Sequence, residues 1–315
     1  MRSDAAHVSV VMPTYGKRAL LESTLGALAA QTYPADRIEV LVVDDCSEDD
    51  TPDFLSKAEF PFRLVSLRHE INRGRAAARN TGLRAAAGEI VVFLDDDMRA
   101  TPELIDAHVV AQRDHPRTAM IGNALTAPEL GPSSVYSYLD SRGAHKLPPD
   151  APMPARYFLT NNASVPKDAF GKAGLFDESF RSYGFEDMEI AFRLEERAHL
   201  AFRYCSTAVA YHIHEHTLDG LLEKRLDAAR SSLPLLLKLH PGRADELSLR
   251  LLLPIRQDDS PWLRLRKSAL RVLLARPFQM LSKPMARSRR LGRLAHPFLD
   301  HLIAAAYARG LRDAG

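Results

Sequence analysis

The chain has 315 residues, of which 46% are hydrophobic and 26% charged, and its formal net charge is +2. That is enough for a sizeable core in one large or two small domains, and too balanced for a protein whose whole surface holds polyanions. Two cysteines, Cys46 and Cys205, exclude a disulfide-stapled scaffold and a cysteine-rich zinc site.

The first residues show no signal-peptide layout. No run approaches the roughly 18–20 apolar residues that span a bilayer, so a cytoplasmic protein is expected. The charge is unevenly spread. Residues 262–315 carry twelve Lys or Arg against two Asp, a net of +10, which leaves −8 for residues 1–261. Two parts are expected: a domain over 1–220 and a helical, basic extension over 221–315.

In chain order, Val8–Met12 predicts a strand ended by Pro13, and residues 18–31 a helix with Leu21, Leu25 and Leu28 on one face. Ile38–Val43 reads as a strand buried on both sides and runs into Asp44-Asp45. A helix follows Thr51-Pro52, then a strand over Phe62–Leu67, then an Ala-rich helix over 75–87 closed by Gly88. Glu89–Leu94 is the next strand and ends in Asp95-Asp96-Asp97. Short buried strands alternating with helices predict an α/β fold, a mostly parallel central sheet with helices on both faces.

After residue 100 the alternation loosens. Residues 126–156 hold six prolines, which predicts a loop-rich stretch and a candidate acceptor lid. A charged helix over 185–198 and a strand from Ala201 follow. From about 217 onward the pattern is helical.

Ligands of an open parallel sheet bind outside the carboxyl ends of its strands. Asp44 alone is equally a turn former. Three consecutive aspartates repel one another unless a cation or solvent offsets them, and their oxygens suit Mg²⁺ or Mn²⁺. The first turn, Pro13-Thr14-Tyr15-Gly16-Lys17, is neither a dinucleotide glycine fingerprint nor a P-loop, which disfavours a dehydrogenase or P-loop ATPase.

Five segments in register resemble family 2 glycosyltransferases: Val8 to Tyr15, Val42 to Ser47, Asn72 to Asn80, Phe93 to Asp97, and Gly184 to Glu189. The likeness covers roughly residues 7–220, with Gly16 where the family usually has Asn and Cys46 where it usually has Gly. The resemblance implies an A-type fold and transfer of a sugar from a nucleotide sugar, UDP-linked by preference, to a glycan or glycolipid hydroxyl. It implies that Pro13, Thr14 and Tyr15 line base and ribose, that Asp45 accepts from the base, and that Arg75 lies near base or diphosphate. Asp95 and its neighbour Asp96 would serve the donor's ribose and sugar. Asp97 would be the main metal ligand, with the ion neutralising the departing diphosphate. Asp187 of the Glu186-Asp187 pair resembles a general base, and Glu186 would orient the acceptor or complement a helix dipole.

Taken on their own, Arg75 and Arg79 also admit a second reading, as solvated residues of an Ala-rich helix. On an extended segment His212, His214 and His216 share one face; His212 is the better positional match for a metal ligand and His214 the second. Asn162 either hydrogen-bonds the donor sugar or is a turn residue. The basic extension would rest on an anionic membrane or pack as a helical unit; no nucleic acid is expected, because no stacking platform accompanies the arginines. Two rivals stay open: a sugar nucleotidyltransferase, whose Gly-rich loop is missing here, and a non-catalytic nucleotide-sugar-binding protein.

Overall fold

A computed structural model describes residues 5–247 and 249–314. The apolar runs form strands where expected: β1 (Val8–Thr14), β2 (Ile38–Asp44), β3 (Arg63–Arg68) and β4 (Ile90–Leu94). Between them lie α1 (Arg18–Ala29), α2 (Thr51–Lys57) and α3 (Arg75–Ala85). A three-residue strand, β5 (Met98–Ala100), follows the aspartates, then α4 (Leu104–Asp114) and β6 (Thr118–Thr126). After α5 (Ser134–Leu139) come β7 (Asn162–Pro166), α6 (Ala169–Ala173), α7 (Glu186–Ala198) and β8 (Ala201–His212). Helices follow: α8 (Leu218–Arg230), α9 (Ser232–Leu239), α10 (Pro261–Leu273), α11 (Arg276–Arg287) and α12 (His296–Asp313).

The eight strands form one mixed sheet in the order β3-β2-β1-β4-β7-β6-β8-β5. The first four are parallel; β1, β2 and β4 are buried on both faces, as inner strands of a parallel sheet are, and β3 at the edge is partly exposed. β7 joins β4 antiparallel, and β5 closes the far edge against β8. The Ala-rich face of α3 has a packing reason. A Cβ on Gly82 would come within 2.6 Å of Val11, so only small residues let this helix lie on β1. Gly88 does not close the helix, which ends at Ala85. It passes the start of β1 so closely that a Cβ would sit 2.7 Å from the His7 carbonyl and the Ser9 amide.

The chain divides into two units. One comprises Met1–Ala127, Arg142–Arg181 and Glu186–His214; the other comprises Pro128–Ser141, Ser182–Phe185 and Glu215–Gly315. The first contains the whole sheet. The second is a helical assembly in which Val135 and Tyr138 of α5 pack with Leu218 and Leu221 of α8 and Leu299 and Leu302 of α12. No helix among the described residues is long and apolar enough to cross a membrane.

The proline-rich stretch is more built than its composition suggests. Pro128 and Pro154 introduce single 3-10 turns, and Pro152 bridges to Arg203 at an isolated position where no amide is needed. Met153 donates to the Phe202 carbonyl and Tyr204 to the Ala151 carbonyl, which pins this part to β8.

Candidate active site

Because β1, β2 and β4 run parallel, Thr14, Asp44-Asp45 and Asp95-Asp96-Asp97 leave the sheet at one edge. Asp45 is buried there, and its carboxylate accepts from the amides of Arg73 and Gly74 at 2.8 and 2.7 Å, with His69 Nδ1 2.7 Å away. It therefore holds the turn into α3, in which Gly74 has φ +87°. The expected contact with a base thus falls on a carboxylate that already carries three internal partners.

Asp96 and Asp97 share one cation. Lys17 Nζ lies 3.1 Å from Asp96 Oδ1 and 2.9 Å from Asp97 Oδ2, and Thr14 donates to Asp96 Oδ2 at 2.7 Å. Burial lifts the Asp96 carboxyl to about 6, against the pull of Lys17. Burial also opposes ionisation of Asp97, but Lys17, His212 and His214 outweigh it and hold the carboxyl below its ordinary value. Lys17 itself resists burial and is held charged by the two aspartates.

The second cation is Arg79, only 2% exposed. Nη2 lies 3.1 Å from Asp95 Oδ1, and Nη1 lies 3.0 Å from Glu186 Oε1 and 3.5 Å from Asp187 Oδ1. One guanidinium thus joins the strand-end aspartates to the first turn of α7. Thr160 holds Asp187 from the other side, its hydroxyl donating at 2.7 Å and its amide at 3.2 Å. Burial raises the Asp187 carboxyl to about 6, with Arg79 opposing and Glu186 adding. Glu186 Oε2 is buried without a hydrogen-bond partner.

Five carboxylates therefore face two cations, and the surplus negative charge is what a divalent ion would offset. Asp97 Oδ1 is the acceptor best suited to it: buried, without a hydrogen bond, and 3.6 Å from His212 Nδ1. His212 stands there because β5, immediately after the aspartates, pairs Met98 with His212. An oxygen and an imidazole fit Mn²⁺ or Mg²⁺. Among the described residues no three such side chains converge as a finished cage. The strand ends at His212, so the shared face expected for His212, His214 and His216 is not formed. His214 still contributes to holding Asp97 ionised.

The other expected residues lie as follows. Pro13 is half-buried in β1, Tyr15 is exposed just beyond it, and Arg75 is exposed at the start of α3. Asn162 is fully buried, its amide donating to Ala208 at 2.8 Å and paired with His108 at 2.9 Å, so its polar atoms are engaged in bracing the sheet. Its neighbour Asn161 is the one beside His212, at 3.4 Å.

Sequence reading missed Lys17, Thr160 and the pairing of Arg79. For Arg79 a signal existed. It lies three residues after Ala76 and four before Leu83, on the buried face of α3, where an arginine needs a carboxylate. Both departures from the resembled family fall at left-handed turns, Gly16 at φ +63° and Cys46 at φ +70°.

The family model "Glycosyl transferase family 2" matches residues 9–162. Validoxylamine A glucosyltransferase of Streptomyces hygroscopicus subsp. jinggangensis is 33% identical over 225 residues, covering 59% of this chain and 51% of that one. Hyaluronan synthase of Pasteurella multocida is 26% identical, over 68% of this chain and 24% of that one. The chain thus spans about half of the first relative's length and about a quarter of the second's. Among solved structures, a mannosyltransferase from Pyrobaculum calidifontis in complex with GDP-Man and Mn²⁺ superposes with a TM-score of 0.61 at 21% identity, over 98% of this chain and 88% of that one. S. aureus TarS residues 1–349 with UDP gives 0.57 at 19%, over 97% and 90%. At these identities the structural likeness speaks for the fold, that of the A-type glycosyltransferases.

Proposed function

The chain belongs to the family 2 glycosyltransferases through residues 9–162, and on that premise we propose that it moves a sugar from a nucleoside-diphosphate donor to a hydroxyl of a glycan or glycolipid, with inversion at the anomeric carbon. The observation that carries this reading is the Arg79 bridge, which sets Asp187 beside the strand-end aspartates within one network. The named ligands of the similar proteins, GDP-Man and UDP, support the donor class.

Asp187 is the base. A carboxyl raised to about 6 accepts a proton more readily than an ordinary aspartate, yet roughly nine in ten molecules are ionised at pH 7. It takes the acceptor's hydroxyl proton as that oxygen bonds to the anomeric carbon; the bond from that carbon to the diphosphate breaks, and its electrons leave with the nucleoside diphosphate. Thr160 and Arg79 fix the carboxylate's orientation, and Arg79 keeps it from capturing a proton too early. Asp97 and His212 are the residues that would hold Mn²⁺ or Mg²⁺, which when bound neutralises the leaving diphosphate. Lys17 holds Oδ2 of Asp97 and leaves Oδ1 to turn to another cation, with which its own charge competes.

A thermal-shift screen of nucleotide sugars with and without Mn²⁺ tests the reading, since a ligand of the native state raises its apparent stability. A shift with at least one nucleotide sugar, larger with Mn²⁺, is expected; no shift with any of them overturns it.

A further inference from the structure

The helical unit carries an apolar surface that its own fold does not use. Leu270 of α10 and Leu274 at its C-terminal end pack against Ala305 and Ala308 of α12, and Lys267 is buried on Asp259 and the Pro254 carbonyl. Its opposite side shows Trp262, Leu265, Val272 and Leu273, at spacings of three, seven and one that place them in one stripe. α11 repeats the arrangement. Ser282 and Ala286 face inward, where Ser282 pairs with His301 at 2.9 Å and the Ala286 carbonyl accepts from Ser134. Outward it presents Phe278, Met280, Leu281 and Met285, with Met280 75% and Leu281 70% exposed. Leu294, in the 3-10 segment that follows α11, is 72% exposed.

The surroundings of these stripes are cationic. Residues 262–299 hold ten Lys or Arg and no Asp or Glu. Lys283 and Arg287 are partly neutralised by Asp219, at 2.8 and 2.5 Å, and Lys267 is paired with Asp259. Arg266, Arg271, Arg276, Arg289, Arg290 and Arg293 are exposed.

We propose that the outer faces of α10 and α11, with the arginines of 289–293, dock on an anionic phospholipid surface. The apolar side chains enter the acyl boundary and the arginines meet the headgroup phosphates, the arrangement of an in-plane amphipathic helix. A second copy of the chain is the poorer occupant, because a two-fold contact would set the same unneutralised arginines against one another. This inference is independent of the transfer reaction.

Trp262 is the only tryptophan in the chain, so all indole emission reports on the outer face of α10. The full chain is mixed with vesicles of phosphatidylcholine alone, or of three parts phosphatidylcholine to one of phosphatidylglycerol. Pelleting and a blue shift of the emission are expected with the anionic vesicles only, both weakened by high salt. Met280→Asp with Leu281→Asp is expected to lower partitioning at least tenfold with an unchanged melting temperature, because neither side chain contributes to the inward packing. Replacing Arg289, Arg290 and Arg293 by Gln should cost about a factor of five for each charge. Equal behaviour with both vesicle types, or wild-type partitioning by the Asp variant, overturns the proposal. So does a concentration-dependent dimer that the Asp variant abolishes, which would assign the stripe to a second copy.

Discussion

The two halves of the candidate site solve the same electrostatic problem with different cations. Glu186, Asp187 and Asp95 gather on a guanidinium that is almost wholly buried, whereas Asp96 and Asp97 gather on an ammonium whose side chain is 33% exposed. Arginine's planar fork engages several carboxylates at once and stays charged, while lysine is a point charge on a flexible stem. The Arg79 side is therefore a fixed frame, and the Lys17 side is a place where one cation can be exchanged for another.

Removing the fixed cation should have the largest effect. Arg79→Ala leaves Glu186 and its neighbours buried without a counter-charge, and a loss of about 3–5 kcal/mol is expected in a denaturant titration, with turnover abolished. A variant as stable as wild type would show that the two halves are not different in kind. Lys17→Met sharpens the contrast from the other side. It should tighten Mn²⁺ binding, followed by electron paramagnetic resonance of the free ion, by roughly tenfold for removal of about one charge-assisted contact. Weaker Mn²⁺ binding would make Lys17 part of the frame.

The frame also sets a pH dependence. Asp187 must be ionised to act, so kcat/KM should fall about tenfold per unit once the pH drops below about 6. In Arg79→Lys the acid limb should move, because the opposing charge is held less firmly; an unmoved limb would detach Arg79 from the base. The smallest effect is expected at the turn beside Asp45. Cys46 adopts φ +70° and gives up only a weak contact from its sulfur to the Glu70 carbonyl, so Cys46→Gly should stabilise the fold by up to about 1 kcal/mol on thermal unfolding.

Much of this was legible in the residues. The apolar runs at Val8, Ile38 and Ile90, alternating with helical patterns, indicated buried parallel strands, and their carboxyl ends bring Thr14 and the Asp triplet to one edge. What the sequence hid depends on contacts between distant segments. β5 is three residues long and has no periodicity to detect, yet its pairing with β8 is what delivers His212 to Asp97. Thr160 is an isolated hydroxyl without a motif, and Asn162 reads as a site residue until the sheet closes over it. Lys17 lies in the turn after the first strand, but its partners lie about eighty positions away.

In the proposed reaction Asp97 serves the donor and Asp187 the proton. Calorimetric titration of a nucleoside diphosphate in the presence of Mn²⁺ into Asp97→Asn and Asp187→Asn, with turnover measured on the same samples, tests it directly. Asp187→Asn is expected to bind as wild type does while turnover falls by about 10²–10⁴, and Asp97→Asn to lose Mn²⁺-dependent binding. Equal binding losses in both variants, or normal turnover in Asp187→Asn, would contradict it.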